Sequence, residues 1–140
     1  MDEYTSKLRV WGLTCPGFPE EVSRARRWTR DILTNSPHAD DAALIVTELG
    51  ANALVHTASG DDTGTFHVSL AVSALVIAIS VTDSGSPAAP RIKHPGTEAT
   101  HGRGLGIVTA LADNVEIHGD QLGRTITAEL LLPHPGAAAC

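Results

Sequence analysis

Glu48, Asn52 and His56 are spaced four residues apart in this chain. On an α-helix, with about 3.6 residues per turn, that spacing stacks three polar side chains along one line. A glutamate there could accept a proton from water or a hydroxyl nucleophile. The asparagine one turn on offers a neutral oxygen to a hard cation such as Mg²⁺, which prefers oxygen ligands and keeps several waters. The histidine could contact phosphate or cap the helix end. A second cluster begins with Asp83-Ser84-Gly85, at the end of an apolar run. A carboxylate at the edge of a core is costly unless something satisfies it, and the amino group of a purine would. Further on comes Gly102-Arg103-Gly104-Leu105-Gly106. Its glycines let backbone N–H groups approach phosphate oxygens, and the start of a following helix adds positive potential.

Each cluster alone has a plainer reading: a polar row on a helix surface, an aspartate opening a turn, a flexible glycine loop. In this order, on helix, strand end and loop, they describe one pocket for ATP and Mg²⁺. The glycines are not a dinucleotide fingerprint, which needs a strand–turn–helix opening and a downstream acid. No G-K-[ST] exists for a P-loop.

The elements that must position these groups follow from hydrophobic periodicity. Leu8 to Thr14 reads as a first strand, broken by Cys15-Pro16-Gly17-Phe18-Pro19. Glu20 to Thr34 predicts an amphipathic helix with Val22, Ala25, Trp28, Ile32 and Leu33 on its apolar side. Arg24, Arg26, Arg27 and Arg30 make it the most basic stretch, read first as a solvated face. About Asp40 to His56 predicts a second helix, with Ala42, Ile45, Val46, Leu49 and Ala53 on one side and the Glu48 row beside them. Ser59 to Gly64 is a polar turn. Strands follow at about Thr65–Val72 and Leu75–Thr82, joined at Ser73-Ala74. Leu75, Ile77, Ile79, Val81 and Asp83 share one parity, which aims Asp83 at the covered face. Ser84 to Thr100 is rich in proline, glycine and small residues and suits a functional lid. A third helix opens at Gly102–Gly106 and continues through Val108, Leu111 and Ala112. A last strand spans about Arg124 to Leu132 after a turn at Gly119–Gly123.

Composition is that of one domain: 140 residues, 42% hydrophobic and 19% charged, read as a single unit over 1–133 with a tail at 134–140. A net charge of −6 argues against a general nucleic-acid binder. No apolar run reaches the roughly 20 residues of a membrane helix, and no signal peptide pattern opens the chain. Two cysteines, Cys15 and Cys140, build neither a disulfide framework nor a metal cluster. A reduced, cytoplasmic setting is expected.

The boxes Glu48-Leu49-Gly50-Ala51-Asn52-Ala53-Leu54-Val55-His56, Asp83-Ser84-Gly85, Gly102 to Ile107 and Gly123-Arg124-Thr125 resemble those of the GHKL (histidine kinase-like) ATP-binding superfamily. Within it, the chain looks most like the single-domain anti-sigma factor serine/threonine kinases of the RsbW and SpoIIAB type, as an actinobacterial-type regulator. The resemblance covers roughly Phe18 to Leu132. It implies the Bergerat fold, an α/β (α+β) two-layer sandwich with a mixed, mostly antiparallel sheet and helices on one face. It implies Asn52 as the Mg²⁺ ligand and Glu48 as general base or orienting group. Asp83 would bind the adenine amino group, with Thr125 helping through the same water network and Gly85 allowing close approach to the base. His56, Gly102, Arg103, Gly104, Leu105 and Gly106 would serve the phosphate end. The implied activity is phosphorylation of a serine or threonine of a STAS-type anti-sigma antagonist from ATP, leaving ADP, together with sequestration of a sigma factor. The alternative is a catalytically silent ATP-binding interaction module. A homodimer is one assembly the resemblance suggests. Two departures are visible: where relatives often carry Trp-Gly after the third helix, this chain has Asn114-Val115-Glu116-Ile117, and the lid is short and proline-rich, with Arg91 and Lys93 as its basic residues.

Overall fold

On β2 and β3, the two central strands, every inner-facing position is apolar until Asp83, and that alternation builds the fold. The computed structural model describes residues 8–57, 64–84, 105–120 and 123–132. In chain order the elements are β1 (Arg9–Pro16), α1 (Pro19–Ile32), α2 (Ala39–Thr57), β2 (Thr65–Val72), β3 (Val76–Asp83), α3 (105–111), β4 (Asn114–Asp120) and β5 (Gly123–Leu131). The strands form one sheet in the order β1-β2-β3-β5-β4. All four pairings are antiparallel, a narrower result than the mixed, mostly antiparallel sheet expected.

Registered rows run across the inner face. Leu13, Val68, Val81, Ile126 and Ile117 form one, and Trp11, Leu70, Ile79, Ala128 and Val115 the next. A further row is Cys15, Phe66 and Asp83. Val68, Leu70, Ile79 and Ala128 are fully buried. The opposite face carries Thr14, His67, Thr82, Thr125 and His118 in one row. Its hydroxyls pair across strands, Thr82 with Thr125 at 2.8 Å and Ser80 with Thr127 at 2.9 Å. Apolar inside and polar outside is the pattern of an antiparallel sheet with one solvated face.

The helices cover the apolar face. Pro19 starts α1, where a missing N–H costs nothing, with Glu20 and Glu21 in the first turn and Arg30 in the last, matching the helix dipole. Ala42, Ile45, Val46, Leu49 and Ala53 of α2 are all buried, as their spacing predicts, and α2 packs on β2, β3 and β5. Arg24 pairs with Glu21 at 2.6 Å and Arg30 with Asp40 at 3.4 Å. Arg26 and Arg27 are exposed, so among the described residues the arginine cluster is a solvated face. Val108 anchors α3, buried completely.

Three boundaries differ from expectation. β1 runs on through Cys15-Pro16 instead of breaking there, because it is an edge strand and Pro16 at its end needs no ladder N–H. β3 begins at Val76, and Leu75 sits in the turn, 51% exposed. β4 was not anticipated at all. Its two apolar residues, Val115 and Ile117, are too few to mark a strand, and Ile117 is 48% exposed at the sheet edge. Gly119 in β4 lies at φ +112°, a region that favours glycine, and a side chain there would collide with the Gly123 carbonyl.

Cys15 is fully buried, and burial pushes its thiol up from the ordinary range, with Arg24 pulling it down and Glu21 adding a smaller rise. A neutral, enclosed thiol is a poor nucleophile. Iodoacetamide should therefore alkylate Cys15 in step with urea unfolding. Mass spectrometry of the peptide containing Cys15 checks this; labelling as fast as a free thiol in the native protein would contradict the burial.

Candidate functional site

Glu48 and Asn52 lie on one flank of α2 and are each half-buried, at the core edge where the helical spacing places them. The opposite flank is taken by α1: a side chain at Gly50 would touch Val22 at 3.4 Å. The Glu48–Asn52 flank therefore faces away from α1. His56 falls on the last turn of the same helix, and its side chain lies outside the described residues.

Asp83 ends β3 on the inner face and is 6% exposed. Its parity is the expected one: Ile77, Ile79 and Val81 are buried before it. The backbone N–H of Arg124 donates to its Oδ1 at 3.2 Å. A side chain at Gly123 would come within 3.2 Å of the Asp83 carbonyl oxygen, so glycine allows β5 to start this close. Phe66 packs between the Asp83 row of the sheet and α2. It is the register partner of Asp83, and its ring lies 3.6 Å from the position a Gly50 side chain would take. The end of the sheet carrying Asp83 thus reaches α2 on its Gly50 side, through Phe66.

Thr125 corrects an expectation. In a strand, neighbours alternate, and Ile126 takes the buried inner position opposite Val81. Thr125 therefore faces the other side of the sheet, bonded to Thr82, and is not brought to Asp83. The residue that reaches Asp83 from β5 is Arg124, through its backbone. The Gly-Arg-Thr triplet was visible in the sequence, but its pairing with Asp83 depends on register.

At the glycine segment, Leu105 is half-buried against the core and Gly106 is exposed. Among the described residues, a side chain at Gly106 would meet nothing within 4 Å. Gly85, Gly102, Arg103, Gly104 and the lid from 85 to 100 lie outside the described residues.

For a divalent cation, the described donors on this helix flank are Asn52 and, one turn away, Glu48. No group of three or more histidine, cysteine, aspartate or glutamate side chains converges among the described residues. That set fits a cation such as Mg²⁺, which uses few protein ligands and completes its shell with water and phosphate. No helix among the described residues is long and apolar enough to cross a membrane.

The chain resembles the RsbU–RsbW domain structure of Rv1364c from Mycobacterium tuberculosis, with 20% identity and a TM-score of 0.66 over 89% of this chain. This chain spans about a third of that one, 33%. It also aligns with the histidine kinase domain of the Erythrobacter litoralis EL346 blue-light activated kinase, at 16% identity and a TM-score of 0.49, covering 93% of this chain and 71% of that one. No curated protein sequence matches it. The model of the histidine kinase-like ATPase domain matches residues 15–130, from the Cys15–Phe66–Asp83 row through the last buried position of β5. The chain with this α2 flank and buried strand-end aspartate belongs to the histidine kinase-like ATPase domain family.

Proposed function

We propose that this protein is an ATP-dependent regulatory kinase of the anti-sigma type. It phosphorylates a serine or threonine of an antagonist protein and holds a sigma factor. The observations that support the reading are the half-buried Glu48–Asn52 flank of α2 and the buried strand-end Asp83, which accepts from the Arg124 N–H. Asp83 accepts a hydrogen bond from the adenine amino group. Gly102, Gly104 and Gly106 approach the phosphates with backbone N–H groups, and Arg103 adds positive charge there. Asn52 would hold Mg²⁺ through its side-chain oxygen, and the cation would supply charge neutralisation at the phosphates. Glu48 accepts the proton of the attacking hydroxyl. The new bond joins that hydroxyl oxygen to the terminal phosphorus, the bond to the bridging oxygen breaks, and ADP leaves.

Glu48→Gln separates binding from chemistry. ATP affinity by calorimetry should change by less than about threefold, while transfer of labelled phosphate to the antagonist should fall roughly 10²–10⁴-fold. Full transfer by the variant would remove Glu48 from the base role. Nucleotide binding by the unaltered protein with no transfer to any antagonist would leave a silent interaction module in its place.

A further inference from the structure

Asp83 is the last residue of β3, and a strand end frays unless something at or beyond it is fastened. The β5 side is fastened. The Thr82 and Thr125 hydroxyls meet at 2.8 Å on the outer face, and the Arg124 N–H donates to the Asp83 carboxylate. On the β2 side, the register ends with Phe66 opposite Asp83. Ser84 carries the contact one residue further. Its N–H donates to the Thr65 carbonyl at 3.2 Å, as in a continuing antiparallel ladder. Its hydroxyl oxygen accepts the Thr65 N–H, also at 3.2 Å.

The hydroxyl bond departs from that ladder. In a hydrogen-bonded antiparallel pair, the two residues exchange both N–H···O=C bonds. Here the Ser84 side chain takes the N–H that its own carbonyl would accept in a regular pair. The sheet thus gains a closing bond past Asp83 without holding Ser84 to strand geometry. Thr65 is anchored in turn. The preceding Gly64 carbonyl accepts from the Gly17 N–H at 2.9 Å, where β1 gives way to α1. A side chain at Gly17 would come within 3.0 Å of that same carbonyl oxygen, so glycine allows the approach. Gly17 with Gly64, Thr65 with Ser84, and Asp83 with Arg124 tie the ends of β1, β2, β3 and β5 into one seam.

We propose that Ser84 is a positioning residue for Asp83: its hydroxyl, clamped on the Thr65 N–H, fixes the direction in which the buried carboxylate meets the base and so sets the preference for adenine over guanine. This rests on the reading of Asp83 as the acceptor of the adenine amino group. The Arg124 N–H holds the carboxylate from the β5 side. The Ser84 clamp holds the backbone that carries it from the β2 side. Ser84 is exposed while Asp83 is buried. Water can therefore satisfy the Thr65 N–H if the hydroxyl is lost, and the fold survives. Water cannot hold the strand end at a fixed angle. A hydrogen bond weakens steeply as its angle opens, so a strand end free to swing loses the alignment of Asp83 first. Alanine at this place has no acceptor, whereas threonine keeps the hydroxyl on a side chain that suits a strand.

Calorimetry with ATP and GTP, and amide hydrogen exchange by NMR, test this on the 140-residue chain and on Ser84→Ala and Ser84→Thr. Ser84→Ala should weaken ATP binding roughly three- to tenfold, the range of one neutral hydrogen bond. GTP binding should change less, so the preference for ATP narrows. The melting temperature should stay within roughly 4 °C of the unaltered protein. Ser84→Thr should restore both the affinity and the preference. Without nucleotide, Ser84→Ala should speed exchange of the Thr65 and Arg124 N–H groups by about threefold or more, the second of them across the sheet on β5. Loss of ATP and GTP binding in step overturns the proposal, as does failure of Ser84→Thr to rescue or unchanged exchange at Arg124. If Ser84→Ala keeps the full preference while Asp83→Asn loses it, the proposal falls and the reading of Asp83 stands. A chain that binds neither nucleotide yet shows the coupled exchange removes the nucleotide reading and keeps Ser84 as the clamp on Asp83.

Discussion

Asp83→Asn should weaken ATP binding by roughly 10–150-fold while leaving the fold in place. The replacement keeps the size of the side chain and the oxygen that accepts the Arg124 N–H at 3.2 Å. It removes the charge and replaces one carboxylate oxygen with a donor NH₂. A hydrogen bond to a charged group contributes about 1.5–3 kcal/mol, which is that range of affinity. The adenine amino group is itself a donor, so two donors would face each other in a site that excludes water. Guanine presents a carbonyl at the corresponding ring position. The variant should therefore lose less affinity for GTP than for ATP, and the ratio of the two affinities is the most direct readout. Calorimetry with both nucleotides, with and without Mg²⁺, measures it. Equal loss for both would show that Asp83 does not read the base. The change in unfolding free energy should stay at about 1 kcal/mol or below, since the internal acceptor survives.

Phe66→Ala should be the most destabilising single substitution in the site's support. Phe66 is 1% exposed and is the largest fully buried side chain among the described residues. Truncating such a phenylalanine costs about 3–5 kcal/mol through lost transfer energy and the cavity left behind. Against a total stability of roughly 5–15 kcal/mol, that is a large share. Urea denaturation should show a lower midpoint with little change in slope. Phe66→Leu should recover part of the loss. Because Phe66 joins the Asp83 row to the Gly50 turn of α2, the alanine variant should also bind ATP less tightly at temperatures where it is still folded. A variant with normal stability but lost binding would mean that Phe66 contacts the nucleotide instead of supporting the site.

These expectations rest on features of unequal legibility. α2 was readable because nineteen consecutive residues repeat the helical pattern several times over, and its polar row inherits the phase of its apolar one. Asp83 was readable because parity carries a strand's apolar rhythm to its end. β4 was not, since an edge strand buries little and so needs few apolar residues. Leu75 belongs by parity to β3, yet the turn that joins β2 to β3 claims it, with the Val76 carbonyl accepting from the Ser73 N–H.

Thr125 marks the boundary between what local pattern and what pairing decide. Its place in the Gly123-Arg124-Thr125 triplet suggested a partner for Asp83. Only the registration of β5 against β3 shows that Thr125 faces outward and that the Arg124 backbone does the holding. By itself, the sequence determined the domain class, the phase of α2 and the parity of Asp83, because periodicity is local. The tertiary structure alone decided which strand meets Asp83 and which flank of α2 is taken by α1. Those depend on register and packing between segments far apart in the chain, where a one-residue shift turns every side chain to the other face.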